Sequence, residues 1–269
     1  DLPRDILPGA EIELDLLPPD AYRTGQTRSR GDRNLIEKAA RLLLSAQHPV
    51  IIAGGGVQWS NAAEEVTGMA DLLGAAITTS YGRADAVPSD HPNFLGHLGR
   101  LGATEAIEAV RQSDVILAVG TRLSQSTTFY DNRFITADAQ IIQIEIDPEE
   151  LGRNYPISVG IEGDAKAVMQ GLLEVVRDAE PRRNQPWVED IGDWHARRND
   201  RLENEGRLDS PLIKPQRVYA ELRNVMPRDA IVALDAGVGP NFGQDRLNFY
   251  EPRSLLTSLD LGGLGFSFP

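Results

Sequence analysis

Two glycine-rich clusters carry the residue types best suited to holding a charged ligand. Asp235-Ala236-Gly237-Val238-Gly239-Pro240-Asn241 follows the apolar stretch 230–234, and Gly262-Gly263-Leu264-Gly265 follows a strand-like stretch at 254–258. Loops of this kind present successive backbone N–H groups as an anion nest. Glycine also removes the Cβ that would keep a ligand away from the backbone. Asn241 can add an amide donor to a phosphate oxygen. The plain alternative for the first cluster is a Gly/Pro/Asn surface turn.

A second group lies earlier in the chain. Gly54-Gly55-Gly56 follows Val50-Ile51-Ile52-Ala53 and suits either a phosphate at a helix N-terminus or tight strand–helix packing. A complete G-x-G-x-x-G is absent, because its third position falls at Ser60 or Asn61. Gly120-Thr121-Arg122 ends another apolar run, at the carboxyl edge where open α/β sheets bind ligands, and Arg122 can clamp a phosphate bidentately. Asp147, after Ile144-Glu145-Ile146, can meet a ribose hydroxyl or cap a helix starting at Pro148.

Other chemistries find little support. Histidines 48, 91, 97 and 195 show no metal-ligand spacing, so no metal site is expected. There is no cysteine, which removes thiolate metal sites, disulfides and cysteine nucleophiles. No G-x-S-x-G or phosphate-loop motif occurs. The acidic pairs Glu64-Glu65 and Glu149-Glu150 read as solvated helix faces or partners of helix N-termini. A net charge of −13 argues against a nucleic-acid surface and against an anionic membrane. No apolar run reaches the roughly 18–20 residues of a membrane span, and the first residues do not form a signal peptide. A cytoplasmic protein is the expectation.

The elements that must position these residues follow from periodicity. Apolar residues at helical spacing mark helices at 35–46, 62–73, 104–112 and 215–225. Short β-branched runs at 50–53, 75–79, 115–119 and 139–146 suit buried parallel strands. With 41% hydrophobic and 25% charged residues over 269 positions, the chain can bury a large core. The expected fold is α/β, a doubly wound parallel sheet of about six strands in a Rossmann-like central domain at 34–178. Residues 1–33 read as a domain tail and linker, 179–210 as a polar connector docked by Trp187 and Trp194, and 211–269 as a partial second α/β domain.

Together these motifs resemble the acetolactate synthase-like family of thiamine-diphosphate enzymes. The stretch 254–269 is similar to a family segment reading T-S-x-x-x-G-x-hydrophobic-G-F-x-x-P. The order of residues 54–56, the Gly96/Gly99/Gly102 loop, Gly120-Thr121-Arg122, Ile144-Glu145-Ile146-Asp147 and Gly163-Asp164 is that of the family's central domain. Val119-Gly120-Thr121-Arg122-Leu123, Gln140-Ile141-Ile142-Gln143-Ile144 and Ile157-Ser158-Val159-Gly160-Ile161 look particularly like the sulfoacetaldehyde acetyltransferases within it. The start, Asp1-Leu2-Pro3-Arg4-Asp5, resembles the end of the family's pyrimidine-binding domain.

The resemblance implies thiamine diphosphate bound with Mg²⁺ in the parent enzyme. Gly237, Gly239 and Asn241 would lie at its diphosphate, with Gly262, Gly263 and Leu264 against the cofactor and Leu264 propping the thiazolium. It also implies FAD, ADP or an empty cleft in the central domain, at Gly54, Gly55, Gly56, Arg122 and Asp147. One departure weakens the FAD expectation: Leu123-Ser124-Gln125-Ser126 stands where acetolactate synthases carry F-D-D-R. The substrate would be a small 2-oxo acid or aldehyde, and the parent a homodimer or homotetramer. No G-D-G metal motif occurs, and the activating glutamate would come from the pyrimidine domain. The chain therefore reads as a fragment with no catalytic residue of its own, inactive alone. A competing expectation is a non-catalytic nucleotide-binding module, which would have no use for the loop at 257–269.

Overall fold

The computed structural model describes residues 18, 28–131, 134–259 and 261–267. The expectation for residues 1–33 lies mostly outside this set. In chain order the elements are α1 (Arg33–Ser45), β1 (Pro49–Ala53), α2 (Gly55–Ser60), α3 (Ala63–Leu73), β2 (Ala76–Thr79) and β3 (Phe94–His97). There follow α4 (Thr104–Gln112), β4 (Val115–Val119), α5 (Gln125–Thr128), β5 (Gln140–Glu145), β6 (Val159–Glu162), α6 (Ala165–Asp178) and α7 (Gln185–Gly206). The remainder comprises α8 (Pro215–Val225), β7 (Val232–Leu234), α9 (Val238–Arg246) and β8 (Leu255–Thr257).

Six strands form one parallel sheet in the order β3-β2-β1-β4-β5-β6. The order reverses between β1 and β4, and that reversal is where doubly wound sheets open a ligand crevice. Alternation along β1 feeds both faces. Ile51 and Ala53 pack with Ile36 and Leu43 of α1, Val66 and Met69 of α3, and Val168 and Leu172 of α6. Val50 and Ile52 face Ala106 and Val110 of α4 and Trp187, Ile191 and Trp194 of α7. The doubly wound α/β expectation is met. The edge strands β3 and β6 escape sequence reading because they are four residues long and carry Gly96 and Gly160 in place of a continuous β-branched run.

The stretch 179–210, read as a polar connector, is mostly one helix, the 22-residue α7. Its buried residues are Trp187, Ile191, Trp194 and Arg198. The spacing of four, three and four puts them on one stripe. Trp187 donates from Nε1 to the Pro49 carbonyl at 3.2 Å and meets Trp194 edge-on at 5.1 Å between centroids. One smaller expectation is corrected and another is met in one of its two forms. Residues 148–150 form a single 3-10 turn rather than the start of an α-helix. All four glutamates lie in first helical turns, as one of the two expectations had it; Glu64 and Glu149 are exposed, while Glu65 and Glu150 are buried, Glu65 pairing with Lys166 at 3.3 Å and Glu150 with Arg153 at 2.7 Å.

A separate two-stranded parallel sheet, β7-β8, is built from the second apolar region. Leu234 and Leu255 join Leu247, Phe249 and Ala84 in its small core. The turn expected at 237–239 is the opening of α9, with Gly237 as the residue before its first turn.

At the strand-order reversal, backbone meets backbone. Gly56 donates its N–H to the Gly120 carbonyl at 2.9 Å, and a Cβ on Gly56 would lie 2.5 Å from the Gly120 Cα. Gly120 also has φ of +56°. Gly120→Ala combines a left-handed penalty with overpacking, so urea unfolding should show a loss of about 2–4 kcal/mol. Trp187→Ala should cost about 3–5 kcal/mol in the same assay, as emptied large aromatic sites do.

Candidate functional site

Two sites emerge at the carboxyl edges of the two sheets. The first is a cleft of about 640 Å³ above the reversal between β1 and β4. Gly55 and Gly56 line it from α2, Tyr81 and Arg83 from the loop after β2, and Thr121 and Arg122 from the loop after β4. Ser80 Oγ and Thr121 Oγ1 share a 2.7 Å hydrogen bond on its floor. Gln143 braces the far side, donating to the Thr121 carbonyl at 3.1 Å and accepting from Gly152 N–H at 2.9 Å. Trp59 stands at the rim, 84% exposed. Glu145 and Asp164 also line the cleft, so its charge is mixed. Burial raises the Glu145 carboxyl above its ordinary range, against the opposing pull of the Ile146 N–H and Arg122. Asp164 is desolvated too, but Arg28 at 2.9 Å and the Ala167 N–H hold its carboxyl below that range.

The structure sorts the five residues expected here. Gly55, Gly56 and Arg122 line the cleft, whereas Gly54 and Asp147 are not among its lining residues. Gly54 is packed against Gly120 and Thr121, leaving no room for a Cβ. Asp147 takes the capping role, accepting from Glu149 N–H at 3.0 Å. Leu123, next to Arg122, holds a left-handed φ of +49°.

The second site joins the two glycine-rich clusters, 235–241 and 262–265. They follow adjacent parallel strands, β7 and β8, and Asp235 ties them together. Its two carboxylate oxygens each accept from Gly265 N–H at 3.0 Å, and Ser267 Oγ donates to one of them at 3.1 Å. A hydrogen bond from Ala236 N–H, with those from Ser267 and Gly265, holds the Asp235 carboxyl below its usual range. Ser258 closes the second loop by donating to the Gly263 carbonyl at 3.0 Å. The link from Asp235 to Gly265 depends on strand pairing that spacing alone does not reveal.

Glycine is not needed for internal packing at this site. A Cβ on Gly237, Gly262, Gly263 or Gly265 would meet nothing within 4 Å. Three of these four, Gly237, Gly262 and Gly265, have φ of +117°, +65° and +85°, conformations that favour glycine. Leu264 is 84% exposed between them. The N-terminus of α9 has no side-chain cap, so its first N–H groups are available to an anion. Asn241 points inward instead: it is 5% exposed, accepts from the Tyr81 hydroxyl at 2.6 Å, and donates to the Gly237 carbonyl at 3.0 Å.

The same helix ties the two sites together. Gly82 N–H donates to Gln244 at 2.6 Å, and Asp85 accepts from Leu255 N–H at 2.9 Å and from Gln58. Burial raises the Asp85 carboxyl above its ordinary range. Beneath α9, Asp245 is paired with Arg246 at 3.0 Å, Arg201 at 3.2 Å and Arg198 at 3.6 Å. Burial opposes its charge, yet these cations and His97 keep its carboxyl below the usual range.

A family model described as "Thiamine pyrophosphate enzyme, central domain" matches residues 36–172. Over its whole length the chain is 32% identical to a sulfoacetaldehyde acetyltransferase of Castellaniella defragrans, covering 47% of that protein. It is 34% identical, again over its whole length, to a probable acetolactate synthase large subunit of Methanocaldococcus jannaschii, covering 46% of it. The chain thus spans about half the length of the curated relatives it matches. With a doubly wound sheet over the matched residues and paired glycine loops beyond them, the chain belongs to the thiamine pyrophosphate enzyme family, and residues 36–172 are its central domain.

Proposed function

We propose that this chain is part of a thiamine-diphosphate-dependent transferase or synthase acting on a small 2-oxo acid or aldehyde, and that it supplies one wall of the cofactor site. The observation that carries this reading is the convergence of the two glycine loops on Asp235, with open space over Gly237, Gly262, Gly263 and Gly265. The residues present fit the group. Val238 and Gly239 would offer N–H donors to its diphosphate at the start of α9, and Leu264 would meet its rings. When bound, the cofactor supplies a nucleophilic thiazolium carbon for attack on a carbonyl. The chain's own part is to orient: Asp235 fixes Gly265 and hence the carriage of Leu264, while Asn241 fixes the Gly237 peptide. Mg²⁺, its ligands and the activating glutamate are assigned to the rest of the enzyme.

The names of the two relatives favour transfer of a two-carbon unit, and their nearly equal identities leave acetolactate formation from pyruvate and acetyl transfer from sulfoacetaldehyde with loss of sulfite as the two chemistries to test. Pyruvate, which serves as donor and acceptor, and sulfoacetaldehyde, with inorganic phosphate as acetyl acceptor, should each be offered to the complete enzyme with thiamine diphosphate and Mg²⁺. Release of CO₂ or of sulfite supports the reading, and consumption of neither overturns it. Leu264→Ala should lower kcat about tenfold, equivalent to ~1.4 kcal/mol. Unfolding should shift by less than about 0.5 kcal/mol, as expected of an exposed side chain.

A second ligand is proposed for the cleft of the central domain. Its place at the strand-order reversal and the presence of Arg83 and Arg122 support an adenine nucleotide there, FAD or ADP. Arg122→Ala should weaken ADP binding by about 1.5–3 kcal/mol, the scale of a charged hydrogen bond. Calorimetry showing equal affinity, or no ADP binding to the unsubstituted protein, would remove the nucleotide from the proposal.

A further inference from the structure

The loop after β2 reaches α9 through a short relay. The Tyr81 hydroxyl donates to Asn241 Oδ1 at 2.6 Å, which leaves Asn241 Nδ2 facing the Gly237 carbonyl at 3.0 Å. The Gly237 carbonyl can only accept, so it turns Nδ2 towards the loop and leaves Oδ1 for the Tyr81 hydroxyl. Tyr81 therefore anchors the end of Asn241 remote from the loop. Gly237 sits at φ +117° and ψ −171°, in a region that glycine leaves readily. No neighbouring atom would press on a Cβ at that position within 4 Å. Its carbonyl is held by Asn241, and in a planar trans peptide the following Val238 N–H must point the opposite way, away from the relay.

Tyr81 is itself well fixed. Its backbone N–H donates to Thr127 Oγ1 at 3.3 Å, and its ring lies 6.4 Å from that of His97. We propose that Tyr81, a residue of the central domain, is a positioning residue for the diphosphate end of the cofactor: through Asn241 it presets the Gly237–Val238 peptide so that the first N–H groups of α9 are presented outward before the cofactor arrives. This inference rests on the thiamine reading given above. It assigns to the loop after β2 a role in cofactor affinity, achieved by pre-organisation and not by contact.

The test compares the complete unsubstituted enzyme with Tyr81→Phe, which removes only the hydroxyl, and with Gln244→Met, which removes the neighbouring anchor of α9 but leaves the relay. Amide hydrogen exchange at Asn241 and Phe242, the first intrahelically bonded amides of α9, is measured without cofactor, and thiamine diphosphate binding with Mg²⁺ is measured by calorimetry. Tyr81→Phe should speed exchange at these two amides about tenfold and weaken cofactor binding about five- to thirtyfold, with kcat at saturating cofactor within about twofold. Gln244→Met should lower thermal stability while leaving cofactor affinity within about twofold. Unchanged exchange and affinity in Tyr81→Phe would overturn the proposal, and so would equal losses of affinity in both variants, which mark a mere strut. If the unsubstituted enzyme binds no thiamine diphosphate, the thiamine reading fails, and the proposal fails with it whatever the exchange data show.

Discussion

Asp245 is 1% exposed and charged, and the arrangement of both sites depends on how that charge is compensated. Arg198 and Arg201 reach it from α7, and Arg246 from α9 itself. Arg201 also pairs with Glu105 of α4 at 3.2 Å, and Arg246 with Glu205 of α7 at 2.5 Å. Arg197 of α7 adds pairs to Glu105 at 3.9 Å and to Glu108 at 2.5 Å, so four cations and four carboxylates form a balanced network between α4, α7 and α9. Burying such charges carries a desolvation cost that mutual attraction does no more than offset, whereas leaving one unpaired costs about 3–5 kcal/mol. The network is therefore weak as a source of stability and strong as a constraint on geometry. α9 sits where its own two charges, Asp245 and Arg246, meet their partners on α7, and the loop at its N-terminus inherits that position. His97 lies in the same region, and its burial pushes the imidazole below its ordinary value although Asp245 draws it upward.

Much of the fold was legible in the chain because the central strands are written in β-branched residues. Val50-Ile51-Ile52 and Val115-Ile116-Leu117 are buried on both faces and admit little else. The edges were less legible: Phe94-Leu95-Gly96-His97 looks like a loop until β2 lies beside it. α7 was hidden for another reason. Its average composition is polar, and its four buried positions form a stripe ending in an arginine, which composition assigns to solvent. Arg198 is 2% exposed because Asp245 is there to meet it, a fact that no spacing within α7 contains.

The candidate sites divide along the same line. Glycine clusters after apolar runs were visible, and each lies at a carboxyl edge of a sheet. What each glycine does there was not visible. Gly54 and Gly120 serve close backbone packing at the strand-order reversal, while Gly237 and Gly265 leave space around themselves. Both demand the same residue type, so the sequence signal is identical. Asn241 and Asp235 show a related ambiguity: each is a polar residue near glycines, and only the folded chain distinguishes a side chain turned inward to hold a loop from one turned outward to a ligand.

Trp59 gives the molecule a property of a different kind. The chain has three tryptophans. Trp187 and Trp194 are shut into the core against each other, while Trp59 stands at the mouth of the central cleft with 84% of its surface open. The three indoles thus fall into two optical populations, a shielded pair with blue-shifted emission and a lone solvated ring with red-shifted emission. A soluble collisional quencher reaches only the second. The protein therefore carries an intrinsic reporter at the rim of the cleft, and a ligand settling there dims or shifts a signal that the buried pair, fixed within the core, supplies with its own internal reference.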